Sequence, residues 1–441
     1  MTDTIFALAS GAGRAGIAVV RASGPDAGRV LSVLADGLPA PRRAALRALT
    51  RPDGTTIDTA LLLWFPGPAS FTGEDVAEFH IHGGPAVIAA LIEALMAEGL
   101  RPAEPGEFSR RAFAHGRMDL TEAEGLADLI DAETEAQRLQ ALAQMGGALA
   151  SLYGEWREAL IETLAAIEGE IDFPDEDDVP EGLSERAGPP LQALCASMRA
   201  HLADNHRGER IRDGFTIAVI GEPNAGKSSF INYMANREAA IVSDIPGTTR
   251  DIVEVRLIRA GFVVYMADTA GLREASDTIE AEGVRRALAR AESADMRCLM
   301  IDVSRETLDM AHIAMLRPGD AVLLNKTDLG SAVLAVPEGV ASFAVSVTQA
   351  VGLQAFNAWL DGELVARLGG AEAAPLSRAR HRQLVERALG SLEEALSLLA
   401  SRPELAGAEV NRAIRALGEL TGAVDIEDVL DRVFSQFCIG K

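Results

Sequence analysis

Residues 216–230 read TIAVIGEPNAGKSSF: an apolar β-like run, a G-x-x-x-x-G-K-S loop and the opening of a helix. Each fixed position has a chemical reason. Gly221 and Gly226 let the backbone wrap a phosphate chain with its N–H groups, Lys227 neutralises β- and γ-phosphate charge, and Ser228 offers a hydroxyl to Mg2+. The helix that follows adds its positive dipole end. A bare match to this loop arises by chance, but the strand pattern before it and the helix pattern after it point to an α/β phosphate-binding domain. Asn224, Ala225, Gly226, Lys227, Ser228 and Ser229 are the first candidate nucleotide contacts.

Later segments supply the other parts such a domain requires. The run VVYMA delivers Asp268 in DTAG, where a carboxylate can hold the magnesium shell and the Gly271 amide can sense a γ-phosphate. AVLLN ends in NKTD. There Asp328 can accept both N–H groups of guanine's Watson–Crick edge, Asn325 can meet its other polar edge, and the Lys326 stem can cover the ring. Adenine lacks that donor pair and would leave the carboxylate unpaired, so GTP is the expected nucleotide. DIPGTTRD (244–251) places Thr248 and Thr249 in the switch position, and SVTQAVG (346–352) offers Ser346 and the Val347 amide to the base. After DTAG a Ras-like protein places the glutamine that orients water. Here that position is Leu272, so the polar group must come from elsewhere; Glu274, Asp277, Glu280 and Glu282 lie within reach along the chain.

Composition bounds the rest. With 441 residues and about 150 per domain, roughly three domains are expected. A hydrophobic share of 48% and a charged share of 24% are those of an ordinary globular protein. The net charge of -24 argues against non-specific adhesion to nucleic acid or anionic lipid. Cys195, Cys298 and Cys438 are far apart and lack CxxC spacing, which encodes neither a disulfide framework nor a zinc site. The N-terminus has no basic region before its short apolar run, and no stretch reaches the roughly 18 apolar residues of a membrane span. A cytoplasmic protein is expected.

The pattern changes three times along the chain. Residues 1–118 mix β-like runs (GIAVVRA, DTALLLWF, AEFHIH) with one helix, PAVIAALIEALMAEGL, an α+β pattern. From 119 to 212 the period is helical, with Leu149, Leu152, Trp156, Leu160, Leu164, Ile167 and Ile171 in one stripe that ends at IDFPDEDDVPEG, an expected solvated loop. From 213 to 371 strands alternate with helical or loop segments, and from 372 to 441 helices return. The economical reading is a discontinuous all-helical domain (119–212 plus 372–441) with an α/β domain (213–371) inserted into it.

These residues resemble the MnmE (TrmE) family of tRNA-modification GTPases over nearly the whole chain. The resemblance runs through GRAGIAVVRASG, SFTGEDVAEFHIHGGPAV, EPGEFSRRAF with MDLTEAEGL, GEPNAGKSS, AAIVSDIPGTTRD, DTAGLREASDTIE and DIEDVLDRVFSQFCIGK. It implies an N-terminal folate-binding α+β domain, a helical domain and an inserted Ras-like P-loop G domain with a mainly parallel sheet. It also implies a homodimer formed through the N-terminal domains, whose G domains meet when GTP and potassium bind. The family works with the FAD-dependent protein MnmG (GidA). Together they add an aminomethyl or carboxymethylaminomethyl group to carbon 5 of the wobble uridine of certain tRNAs. The one-carbon unit comes from a reduced folate, 5-formyl- or methylene-tetrahydrofolate.

Carried over residue by residue, the resemblance implies K+ ligands at Asn224, Ser243, Thr248 and, through its carbonyl, Ile245. A monovalent cation there can stand where an arginine finger would. Ser228 and Thr249 match Mg2+ ligands, Glu280 matches the water-orienting glutamate, and Arg21, Glu78, Arg117 and Lys441 match folate contacts. Arg117 departs from the usual lysine, which keeps the charge but changes donor geometry.

Rival readings meet specific obstacles. A ribosome-assembly GTPase would carry two G domains or a KH module, and this chain has one P-loop and no GXXG loop with basic flanks. A module in which GTP acts only as a switch would not need Glu280. His80 and His82 fall on one strand face without a third ligand nearby, so a metal is not expected. In FSQFCIGK, Cys438 has CaaX spacing, but Gly440 and Lys441 break that motif's chemistry. The tail instead continues an amphipathic helix: Phe434 and Phe437 are expected to dock it, and Cys438 and Lys441 to reach the folate site.

Overall fold

The computed structural model describes residues 3–11, 13–172, 186–237, 254–268, 291–305, 310–331, 334–370, 375–424, 427–435, 437 and 440. Near the N-terminus six strands form one sheet: β1 (Ile5–Leu8), β2 (Ala15–Ser23), β3 (Ala45–Thr50), β4 (Thr56–Phe65), β5 (Val76–Gly83) and β6 (Arg101–Pro102). Their order is β3-β4-β5-β2-β1-β6, antiparallel except between β1 and β6. Period-two patterning explains the layering. Val20, Ala22, Leu62, Phe79 and Ile81 turn to one face, where Val30, Leu31 and Leu34 of α1 (Ala27–Leu34) and Leu91 and Leu95 of α2 (Pro85–Ala97) bury them. Each buried Val, Leu, Ile or Phe among them contributes about 1.5–3 kcal/mol relative to exposure. On the other face, register sets Leu46 opposite Leu61 and Leu61 opposite His80, and both leucines are exposed. A short helix, α3 (Glu107–Ala114), follows.

Beyond it come α4 (Leu120–Asp131), α5 (Glu135–Met145), α6 (Ala148–Asp172), α7 (Gly188–Leu202) and α8 (Arg207–Asp213). The stripe read from α6 buries Leu149, Trp156, Leu160 and Ile167, and Tyr153 joins them. The acidic run expected to follow as a loop lies outside the described residues.

The sequence TIAVI becomes β7 (Phe215–Ile220), and the phosphate loop leads into α9 (Lys227–Arg237). A second sheet then assembles from β8 (Glu254–Arg259), β9 (Phe262–Asp268), β10 (Met296–Asp302), β11 (Ala321–Asn325) and β12 (Ala341–Ala344), with α10 (Met310–Ile313) and α11 (Leu353–Leu368) between and after them. Its order is β12-β11-β10-β7-β9-β8, parallel except for the β8–β9 pair. Both faces are covered, which explains the nearly unbroken apolar runs. Phe230, Met234, Phe356, Leu360 and Leu364 pack on Ile217, Val219 and Met300 from one side, and Ile313 with Ala291 packs on Ala218, Ile220 and Leu299 from the other.

The chain closes with α12 (Ala379–Leu398), α13 (Pro403–Thr421) and α14 (Glu427–Phe434). α13 lies against α6, with the Cβ position of Gly407 3.6 Å from Ile167 Cγ2. Two compact units result. One comprises Met1–Ile130, Leu142–Ala196 and Leu384–Lys441; the other comprises Asp131–Ala141 and Ser197–Gln383. The fold is mixed, an antiparallel α+β sheet, helices, and a Ras-like α/β sheet, as the sequence patterns require.

Candidate functional site

In the second sheet β7 has β9 on one side and β10 on the other, so connections from it run in opposite directions. The crevice at the carboxyl end of such a strand is where ligands bind in open α/β sheets. Here it holds the phosphate loop. Lys227 is 4% exposed, and its Nζ donates to the carbonyls of Gly221 and Glu222, both at 2.8 Å. The Ser228 hydroxyl donates to Asp268 Oδ2 at 2.6 Å. Two oxygen groups suited to a hard divalent cation, one from the loop and one from the end of β9, thus already stand together, and this donor set fits Mg2+. Asn224, exposed at the crest of the loop, has a left-handed φ of 64°. Ala225 is buried and Ser229 is exposed.

Asn325 ties three loops together. Its Nδ2 donates to the Ala225 carbonyl at 2.8 Å, and its Oδ1 accepts the Val347 N–H at 3.1 Å. The Val347 amide, expected to face the base, is therefore engaged by Asn325. Gly226 is required by the same contact, since a Cβ there would stand 2.3 Å from Asn325 Nδ2 and its φ is 103°. Ser346, 1% exposed, shares a 3.2 Å hydrogen bond with the Thr348 hydroxyl. Asp328 is exposed at the end of NKTD. Lys326 Nζ meets Asp302 Oδ2 at 2.5 Å, and Ser304 donates its N–H and O–H to Asp302 Oδ1 at 3.0 and 2.6 Å. Burial pushes the Asp302 carboxyl up, but Lys326 and Ser304 outweigh it and hold the group below its usual range. Arg305 adds a bond to Glu222 of the phosphate loop at 2.7 Å. Sequence reading missed Asp302, Ser304 and Arg305. Ser243, Ile245, Thr248, Thr249, Gly271 and Glu280 lie outside the described residues.

The N-terminal unit brings together three of the four residues expected to meet folate. Arg21, Glu78 and Arg117 line one cavity of about 340 Å³, with Arg42, Phe65 and Phe71 among its other walls. Strand register sets Arg21 of β2 opposite Glu78 of β5. The Arg21 Nε and Nη2 donate to Glu78 Oε1 at 3.1 and 3.0 Å, and the guanidinium lies 5.3 Å from the Phe71 ring centre. Glu78 Oε2 also meets His80 Nε2 at 3.2 Å, and His82 Nδ1 meets Asp58 at 2.8 Å. Among the described residues no group of three or more His, Cys, Asp or Glu could hold a metal ion.

In the same unit, Arg111 is fully buried and pairs with Asp3, Glu74 and Glu107 at 2.9, 3.1 and 3.0 Å. The tail comes to this unit as well. Phe434 and Phe437 are 2% and 6% exposed, packed with Leu120 and Ala123, and Phe434 lies 6.1 Å from Phe113 between ring centres. Gly440 sits against β1, where a Cβ would come within 2.3 Å of the Leu8 carbonyl oxygen. Cys438 and Lys441 lie outside the described residues.

Two family descriptions match the chain: GTP-binding protein TrmE N-terminus over residues 4–117, and MnmE helical domain over residues 120–438. The tRNA modification GTPase MnmE of Maricaulis maris is 57% identical over 445 residues, covering 100% of both chains. Those of Phenylobacterium zucineum and Caulobacter vibrioides are 52% and 51% identical, again over 100% of both chains. With a phosphate loop, an NKTD segment tied to it and matches of this length, the chain belongs to the MnmE (TrmE) family of tRNA modification GTPases.

Proposed function

We propose that this GTPase hydrolyses GTP in a potassium-dependent step and uses it, together with MnmG, in modifying carbon 5 of the wobble uridine of certain tRNAs. The group added is aminomethyl or carboxymethylaminomethyl, with a one-carbon unit drawn from reduced folate. The observation that carries the hydrolytic part is the Ser228–Asp268 pair beside Lys227, in a site whose position after DTAG is Leu272. A leucine cannot orient water, so the reading assigns that role to Glu280, supported by K+.

Lys227 exchanges two loop carbonyls for the β- and γ-phosphate oxygens when GTP binds. Ser228 and Thr249 would hold Mg2+, which when bound would supply positive charge beside the phosphates. Asp328 accepts the guanine N–H pair while Asn325 keeps the loop closed over it. Asn224, Ser243, Thr248 and the Ile245 carbonyl, all oxygen donors, would hold K+, which when bound would supply the positive charge an arginine finger would. Glu280 orients a water whose oxygen bonds to the γ-phosphorus as the bond to the β–γ bridging oxygen breaks, leaving GDP and phosphate.

In the N-terminal unit we assign the 340 Å³ cavity to a reduced folate, 5-formyl- or methylene-tetrahydrofolate, contacted by Arg21, Glu78, Arg117 and Lys441. The tail packed on β1 supports including Lys441, with Cys438 beside it. The exposed Leu46 of β3 and Leu61 of β4 support a homodimer built on this unit. We retain the division into residues 1–118, 119–212 plus 372–441, and 213–371. No helix among the described residues is long and apolar enough to cross a membrane, and the reading is of a cytoplasmic protein.

The test is GTP hydrolysis in potassium against sodium. Hydrolysis should be many-fold faster in potassium, and Glu280→Ala should lose roughly 100-fold in rate while still binding GTP. Equal rates in the two salts would remove the potassium reading, and a Glu280→Ala protein as fast as wild type would remove the assignment of the water-orienting group.

A further inference from the structure

We propose that Arg42 and Arg117 form the subsite for the acidic tail of a folate at the mouth of the N-terminal cavity. The proposal rests on the folate reading above and extends it to a residue outside the expected contacts. Charge balance is the starting point. Four charged side chains line the cavity: Arg21, Arg42, Glu78 and Arg117. Arg21 is neutralised by Glu78 across the β2–β5 pair. Neither Arg42 nor Arg117 has a carboxylate partner among the described residues, so the cavity keeps two positive charges in a chain of net charge -24. Such a local reversal of sign favours an anion.

Arg42 is held at its guanidinium and Arg117 at its backbone and the base of its side chain. Arg42 has a left-handed φ of 59°, uncommon outside glycine. Its N–H donates to the Trp64 carbonyl at 2.8 Å, and its guanidinium stacks 5.7 Å from the Phe65 ring centre. Stacking fixes the planar fork and leaves its N–H edge to take a carboxylate bidentately. Arg117 is set by its own N–H bond to the Ala112 carbonyl at 2.8 Å, and its Cγ lies 3.4 Å from the Cβ position of Gly73. The two side chains arrive from separate turns onto one cavity, and both are exposed, whereas Arg21 and Glu78 are half-buried.

That gradient orients the ligand. The Glu78 carboxylate in the half-buried part suits the adjacent N–H donors of a pterin ring, and the two guanidiniums at the mouth suit the α- and γ-carboxylates of the glutamate. The opposite orientation would bring the glutamate carboxylates against Glu78 and leave both outer arginines unpaired. Further glutamates join through the γ-carboxylate and carry their own α-carboxylates outward, so polyglutamylation should be tolerated.

The experiment compares three ligands on the full-length protein by calorimetry: 5-formyl-tetrahydrofolate, its triglutamate, and the 5-formyl-tetrahydropteroate that lacks glutamate. Wild-type protein should bind the pteroate about 10-fold or more weakly than the monoglutamate, consistent with loss of charge-assisted pairs. Arg42→Gln should lose a similar factor for both glutamyl ligands and keep wild-type affinity for the pteroate, which also reports that the cavity is folded. Arg42→Lys should recover part of the loss. Equal losses for pteroate and folate, or no loss for folate, would overturn the subsite. Wild-type protein that bound none of the three would overturn the folate reading itself, a different and distinguishable failure.

Discussion

Asp302 governs the nucleotide site without belonging to any of its sequence motifs. It ends β10, and the parallel register sets it beside Asn325, the first residue of NKTD. From there it reaches Lys326, whose left-handed backbone at φ 65° turns the side chain back along the strand ends. The ion pair thus fixes the Lys326 stem. Arg305, three residues on, holds Glu222 of the phosphate loop and links the base site to the phosphate site. Asp302→Ala should release Lys326 and raise the GDP dissociation rate roughly 10-fold, because loss of a partly buried ion-pair partner acts mainly on off-rates. Stopped-flow release of a fluorescent GDP checks this, and an unchanged rate would show that Lys326 holds its place unaided. The segment IDVS reads as an ordinary strand end. Only the pairing of β10 with β11 gives its aspartate a task, so this residue was not legible in the sequence while Lys227 and Asn325 were.

Among elements, the terminal helix α14 depends on a position more than 300 residues before it in the chain. Gly106 caps α3 with φ 69°, and a Cβ there would stand 2.3 Å from the Phe434 carbonyl oxygen and 3.1 Å from Phe437 Cβ. Gly106→Ala therefore strains its own backbone by about 1 kcal/mol and also pushes against the docked tail. The expected result is faster amide exchange across residues 427–435 by mass spectrometry, with weaker folate binding. A tail still protected in that variant would separate docking of α14 from the α3 cap. Phe434 and Phe437 could be foreseen as anchors because a short amphipathic period repeats in DVLDRVFSQF. The surface that receives them could not, since it comes from Gly106, Phe113 and Leu120, whose own local patterns point elsewhere. The same contrast holds for strands. β2, β4, β5, β7, β9, β10 and β11 carry long β-branched or alternating runs. The two-residue β6, the four-residue β1 and β12 and the edge strand β3 exist through pairing alone.

At the scale of the whole molecule, the two units are built to fail differently in acid. In the unit containing the Ras-like sheet, burial first, opposed by Asp204 and assisted by Arg382 and His381, pushes the His201 imidazole down to about 4. Between about 6.5 and 4 the folded ring stays neutral while the unfolded one takes up a proton. Stability there is complete above about pH 6.5 and falls as pH falls, by about 1 to 2 kcal/mol at pH 5. In the N-terminal unit the buried Arg111 cluster behaves otherwise. Burial raises Glu107 and Asp3, but hydrogen bonds and charge from Arg101 and Arg111 prevail and hold both below the usual carboxylate range. Their contribution is present above about pH 4.5 and is lost only as pH falls below it. Asp119 in the same unit has the opposite sign: burial raises its carboxyl, which offsets part of that loss on acidification. Tryptophans report on the units separately, since Trp64 and Trp156 lie in one and Trp359 in the other. Urea unfolding at pH 7 and pH 5, followed in a Trp64→Phe/Trp156→Phe variant and in a Trp359→Phe variant, should show the Trp359 midpoint falling at pH 5 while the Trp64 and Trp156 midpoint holds. His201→Asn should remove most of that fall. If both midpoints moved together, or if His201→Asn left the drop intact, the acid sensitivity would lie in the net charge of the chain and not in this half-buried imidazole.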